Sequence, residues 1–208
     1  MTENMNVAIV IPNLGQGGVE RYAVQLAKGM QENGSNCTII TFEDVPLAQQ
    51  LSGAIEIRHV CFATTGRFQF VKSALKLRRY LEQNHFDLII SGKEQGNIFT
   101  YLAQIFKKPC YSWFVTRHVP LEPGQSKGDV RWYTKKLYKY LYYQANAFIG
   151  VTDEIAAQLK VTVPKSKQHC VKAIKNPIID ADIFSFSERT PNELNGWPAN
   201  KRVVLGAG

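Results

Sequence analysis

With 208 residues, 45% of them hydrophobic, and a formal net charge of +8, the chain is long enough for one well-buried domain and short for two. No window approaches the roughly 20 apolar residues of a membrane span, and no signal-type apolar segment follows the polar start, so a cytoplasmic protein is expected. Cys37, Cys61, Cys110 and Cys170 are widely spaced without a CxxC pair, which argues against a zinc site or disulfide framework and for buried core thiols.

The chain opens with an apolar run, Asn6 to Ile11, that halts in Gly15-Gln16-Gly17-Gly18. A helical pattern follows at once, carried by Val19, Ala23, Leu26, Ala27 and Met30, with Gly34 as its stop. That order aims unpaired N–H groups and the positive helix end at whatever lies above the strand's carboxyl end. Anions bind in such places. Further β-rich runs are predicted at about 36–42, 55–61, 86–91, 109–115, 146–151 and 169–174. They alternate with helices at about 18–33, 69–84, 95–106, 129–144 and 152–161. Most of the strands are unbroken apolar runs, as in a sheet covered on both faces. The expected fold is therefore α/β: a Rossmann-like, doubly wound, mostly parallel sheet of about seven strands with helices on both faces.

The breaker-rich loop His118 to Gly128, with Pro120, Pro123 and Gly124, reads as a flap between strand and helix. Residues 1–187 are read as this one domain and 188–200 as a linker. Residues 201–208 look like the first strand of a second domain, so the chain is expected to be the first half of a two-domain protein.

Charge is uneven. Lys107, Lys108, Arg117, Lys127, Arg131, Lys135, Lys136 and Lys139 crowd one region that holds only Glu122 and Asp129 as acids. Without a helix-turn-helix, zinc or RNP-type signature, no nucleic-acid partner is expected. Rings and lysines alternate through 129–143, and Lys72, Lys76, Arg78 and Arg79 form a second basic stretch within 70–84. Both segments suit an anionic membrane surface, with core packing explaining much of the first.

Several residues fall at the carboxyl ends of the predicted strands. Gly15, Gly17 and Gly18 are either a tight turn needing positive φ or a place where backbone amides approach a ligand. Glu20 is read first as a solvent-facing helix-start acid. Lys93 and Glu94 follow the fourth strand and Arg117 the fifth, either as ligand contacts or as solvated charges. Asn97 is expected on a helix surface, Thr152 as an N-cap, and Asn176 either in an Asx-turn before Pro177 or facing the crevice.

Gly15-Gln16-Gly17-Gly18-Val19-Glu20, Thr116-Arg117-His118, Gly150-Val151-Thr152-Asp153-Glu154 and Asn176-Pro177-Ile178-Ile179-Asp180, in this order, resemble glycosyltransferase family 4, the group-1 enzymes of GT-B fold. Residues 5 to about 187 are similar to that family's N-terminal, acceptor-side domain. The resemblance implies a retaining transferase moving a sugar from a nucleotide-sugar to a glycan or lipid-linked acceptor, as in lipopolysaccharide-type biosynthesis. It implies no metal and no cofactor beyond the nucleotide-sugar co-substrate. His118 then matches the catalytic position, hydrogen-bonding the sugar or orienting the acceptor. Gly15, Gly17, Gly18, Glu20, Lys93, Glu94, Arg117, Thr152 and Asn176 are the candidate donor and acceptor contacts. Most donor contacts in such enzymes lie in the second domain, so this chain alone is expected to be inactive.

Two rivals stand beside it. Gly15-Gln16-Gly17 begins a dinucleotide fingerprint, with Glu43 or Asp44 as the ribose acid, but Glu20 replaces its third glycine. That weakens a NAD(P)-dependent oxidoreductase. A non-catalytic sugar- or partner-binding module is the other.

Overall fold

The computed structural model of the chain describes residues 4–43, 58–64, 69–105, 110–120 and 140–177. Most of the expected flap and of the helix at 129–144, the end of the first domain, the linker and the strand at 201–208 lie outside the described residues.

Seven strands form one sheet: β1 (Asn6–Val10), β2 (Asn36–Thr41), β3 (Arg58–Cys61), β4 (Leu88–Ser91), β5 (Ser112–Arg117), β6 (Ala147–Gly150) and β7 (Val171–Ala173). The order is β3-β2-β1-β4-β5-β6-β7, and every neighbouring pair is parallel. Helices α1 (Gly18–Glu32), α2 (Gln69–Gln83), α3 (Lys93–Gln104) and α4 (Asp153–Thr162) connect them. The last strand is preceded by a 3-10 turn, Lys165–Cys170.

Alternation along β1 explains why its whole run is apolar. Ala8 and Val10 face one hydrophobic cluster with Leu77, Trp113 and Phe148, whereas Val7, Ile9 and Ile11 face another with Ala23, Ala27 and Ile39. Each side chain leaves water on one face or the other, at roughly 25 cal/mol per Å² of apolar area. β4, beside β1, is buried along its full length. The edge strand β3 is mostly exposed.

The chain leaves β1 towards β3 and then returns to pair β4 on the other side of β1. The carboxyl ends of β1 and β4 therefore flank the topological switch point, where open parallel sheets leave a crevice. The glycine turn after β1 and the start of α3 after β4 both stand there.

Four expectations are corrected. β5 runs later than 109–115, so that Arg117 is its last residue. Among the cysteines only Cys37 is buried; Cys61 and Cys110 are exposed and Cys170 is partly so, because Cys61 sits on the edge strand and Cys110 ahead of β5. Asn97 is not on the helix surface but buried, where its carbonyl accepts the Ser91 hydroxyl at 2.6 Å. The turn Gly15 to Gly18 needs no positive φ; among the described glycines only Gly34 has one, at 87°. There the amides of Gly34 and Ser35 close α1 on the carbonyls of Gln31 and Met30, a Schellman cap.

Candidate functional site

Two helices start at the switch point, and both begin on glycine. Gly17 caps α1 at φ −80° and ψ 163°, Gly92 caps α3 at φ −130° and ψ 159°, and neither cap offers a side chain to the free amides. Gln16, Gly17 and Gly18 are exposed, and a methyl added at Gly18 would meet nothing within 4 Å. The first amides of α1 thus face open space with the positive dipole end behind them. By contrast, α4 lies away from the switch point and is capped in the ordinary way: the Ile155 amide donates to Thr152 Oγ1 at 3.2 Å.

Glu20 is the largest departure from expectation. It is 2% exposed rather than solvent-facing. Its carboxylate lies directly beneath Gly17, where any Cβ would overlap Oε2, and Oε1 accepts the Lys93 ammonium. Lys93 is the first residue of α3 and holds φ 57°, a left-handed conformation costly for a side-chain-bearing residue. This pair joins the turn after β1 to the turn after β4.

His118 follows β5 beside that pair. The Thr116 hydroxyl donates to the Ser91 carbonyl at 2.9 Å, so its oxygen is left to accept from His118 Nε2 at 3.2 Å. The hydrogen then sits on Nε2, and Nδ1 is a bare acceptor, buried without a partner among the described residues. The Tyr22 ring meets the imidazole edge-on at 4.6 Å between centroids. Burial, and then the Lys93 charge, push the imidazole down to about 4 against a smaller opposing effect of Glu20. At neutral pH it is an uncharged hydrogen-bonding group, suited to a sugar hydroxyl.

Arg117 is tied locally. Its Nε donates to the Val119 carbonyl at 3.1 Å, Nη2 lies 3.6 Å from Glu94 Oε1, and its guanidinium hydrogen-bonds the buried Tyr142. The structure therefore brings together Gly17, Glu20, Lys93 and His118, with Glu94 and Arg117 alongside. Gly15 stays in the same turn, its amide donating to Asn13 Oδ1 at 3.2 Å. Thr152 and Asn176 follow the outer strands β6 and β7, and among the described residues no hydrogen bond links them to this group. Asn176 Oδ1 is buried without a partner among the described residues, and the turn that would follow Pro177 lies outside them.

Tyr22 and the buried pair Trp113–Ser91, which extends to Asn97 beneath the crevice, were not singled out by the sequence, and Thr116 entered only as part of the Thr116-Arg117-His118 motif. β5 is buried at both Val115 and Thr116, so no alternation marks Thr116 out. A cavity of about 370 Å³ lies at the opposite end of the sheet, lined by Arg78, Glu82, His85, Gln104 and Tyr111 among others. Arg78 pairs with Glu82 at 3.1 Å and His85 with Asp87 at 3.2 Å there, while Gln104 keeps both side-chain polar atoms buried without a partner among the described residues; the crevice holds the corresponding atoms of Glu20 and His118.

The fold is shared with known proteins. The apo form of the lipopolysaccharide outer core galactosyltransferase WaaB matches 83% of this chain and 46% of its own at 14% identity and a TM-score of 0.61. A glycosyltransferase from Rickettsia africae matches over 94% of this chain and 48% of its own, at 16% identity and 0.60. A UDP-N-acetylglucosamine 2-epimerase from Rickettsia bellii matches over 93% and 51%, at 11% and 0.60. The chain thus spans about half the length of these structures. At such identities the likeness is one of fold. No curated protein sequence matches the chain. The profile of Glycosyltransferase Family 4 matches residues 16–178, a stretch running from the glycine turn to just past Asn176. The chain belongs to glycosyltransferase family 4.

Proposed function

We propose that this chain is the acceptor-side lobe of a retaining glycosyltransferase that moves a hexosyl group from a nucleotide-sugar to a glycan or lipid-linked acceptor of the cell envelope. The observation that carries the reading is the open, side-chain-free start of α1 at the switch point, with an uncharged imidazole beside it. Charge develops on the leaving diphosphate as the glycosidic bond breaks, and preoriented amides and a helix dipole are aimed at such charge without reorganisation. His118 Nδ1 is the acceptor atom for a sugar hydroxyl. In our reading a second lobe, supplied beyond residue 187, closes the crevice and brings most of the donor contacts.

The membrane reading has support in α2. Val71 and Leu75, 55% and 49% exposed, share a face with Lys72, Lys76 and Arg79. Such a face places apolar groups at headgroup depth and cations on anionic lipid.

The test is transfer by the product of the whole reading frame, supplied with UDP- and GDP-sugars and with glycan or lipid-linked acceptors, with and without anionic vesicles. The expected result is release of nucleoside diphosphate and a product of unchanged anomeric configuration. Conversion of a nucleotide-sugar without an acceptor identifies an epimerase instead, and NADH oxidation an oxidoreductase.

A further inference from the structure

Glu20 and Lys93 come from α1 and α3, 73 residues apart, and meet under the crevice. Their exposures differ sharply, with side chains 3% and 36% accessible. The carboxylate is roofed by Gly17, so nothing entering the crevice reaches it without displacing the turn. The ammonium, by contrast, has one partner among the described residues and three N–H donors, so two remain for a ligand. The backbone of Lys93 is held in a left-handed conformation at the first position of its helix, and such outliers persist where surrounding contacts over-determine them. The fit at Gly92 is one such contact: a Cβ there would lie 3.0 Å from Thr116 Oγ1 and 3.8 Å from His118 Nε2.

We propose that Glu20 is a positioning residue that pins the Lys93 ammonium to the crevice floor, and that Lys93 is the group that meets substrate oxygen there. This rests on the transferase reading. The ligand atom is an oxygen acceptor, either of the donor diphosphate or of the acceptor sugar. A free lysine side chain spends conformational entropy each time it orders against a ligand. One already held by a buried carboxylate has spent it on folding, and Lys93 cannot swing away without stranding that carboxylate.

Stability and activity therefore depend on the pair in different ways. Lys93→Met leaves a buried carboxylate without its cation, so Tm falls and transfer drops about tenfold or more. In Glu20→Gln/Lys93→Met no charge is stranded, so Tm returns towards that of the parent while transfer stays low, because the ammonium is still missing. A rise in KM for the nucleotide-sugar places the contact on the donor, and a rise in KM for the acceptor places it on the acceptor. Transfer that recovers together with Tm in the double variant would make the pair purely structural and overturn the proposal, as would parent-like transfer by Lys93→Met. NMR titration of His118 gives a readout that needs no activity. It moves up in Lys93→Met, where a neighbouring cation is lost, and down in Glu20→Gln, where a neighbouring anion is lost. An imidazole indifferent to both substitutions contradicts the geometry itself. Failure of the parent protein to transfer any sugar, with these shifts present, counts against the transferase reading and the Lys93 contact but not against the pairing.

Discussion

His118 shows how a single site sets a pH dependence. Its neighbours are the Lys93 ammonium from α3, the Glu20 carboxylate and Tyr22 ring from α1, and Thr116 from β5 just before it. An unfolded histidine binds its proton near 6.5, whereas the folded one resists it down to about 4. Between those values the unfolded chain holds more protons, so folding stability falls as pH drops through the window and is level above it. The effect reaches up to about 3 kcal/mol for a shift of this size. Urea unfolding at about pH 7 and about pH 4.5 is expected to show the difference in the parent chain, and to lose most of it in His118→Asn. An unchanged pH response in that variant would mean that another group carries it. In the product of the whole reading frame, His118→Ala is expected to lower turnover about tenfold or more while the fold persists.

At the scale of elements, close packing was legible only in part. The apolar runs fixed all the strands within a few residues, because a sheet covered on both faces leaves polar side chains no place along Val7–Ile11 or Leu88–Ile90. The stripe Val19, Ala23, Leu26 and Ala27 placed α1, yet the same pattern put Glu20 on the wet side. Its burial comes from a lysine 73 residues away, a pairing that local periodicity does not contain. For the same reason Asn97 was misplaced: its partner Ser91 lies on β4, beneath the helix. Glycines were seen as turn formers, whereas two of them let a helix lie against a strand. A Cβ on Gly96 would stand 2.7 Å from the Val10 carbonyl oxygen, and one on Gly150 2.5 Å from the Ala156 amide nitrogen. Gly96→Ala and Gly150→Ala are each expected to cost about 1–3 kcal/mol in urea unfolding. Gly29→Ala, inside α1 with nothing within 4 Å, is expected to add about 0.5–1 kcal/mol. Equal midpoints for the three variants would contradict the packing described.

For the molecule as a whole, the two ends of the sheet have different roles. At the amino ends of β4 and β5 a cavity is lined by the Arg78–Glu82 ion pair, by His85 bonded to Asp87, and by a buried Gln104. At the carboxyl ends, two uncapped helices, a pinned ammonium and a neutral imidazole converge on one crevice. The chain belongs to glycosyltransferase family 4, and in the function proposed above this crevice meets a leaving diphosphate beside a sugar hydroxyl. Gly18 separates folding from function there, since a methyl at that position touches nothing among the described residues and its backbone needs no positive φ. The decisive measurement is Gly18→Ala in the product of the whole reading frame. The account expects a Tm equal to or above that of the parent and sugar transfer reduced about tenfold or more, because the methyl stands where the substrate must approach the amides. Transfer at the parent rate in a fully folded Gly18→Ala protein would contradict it.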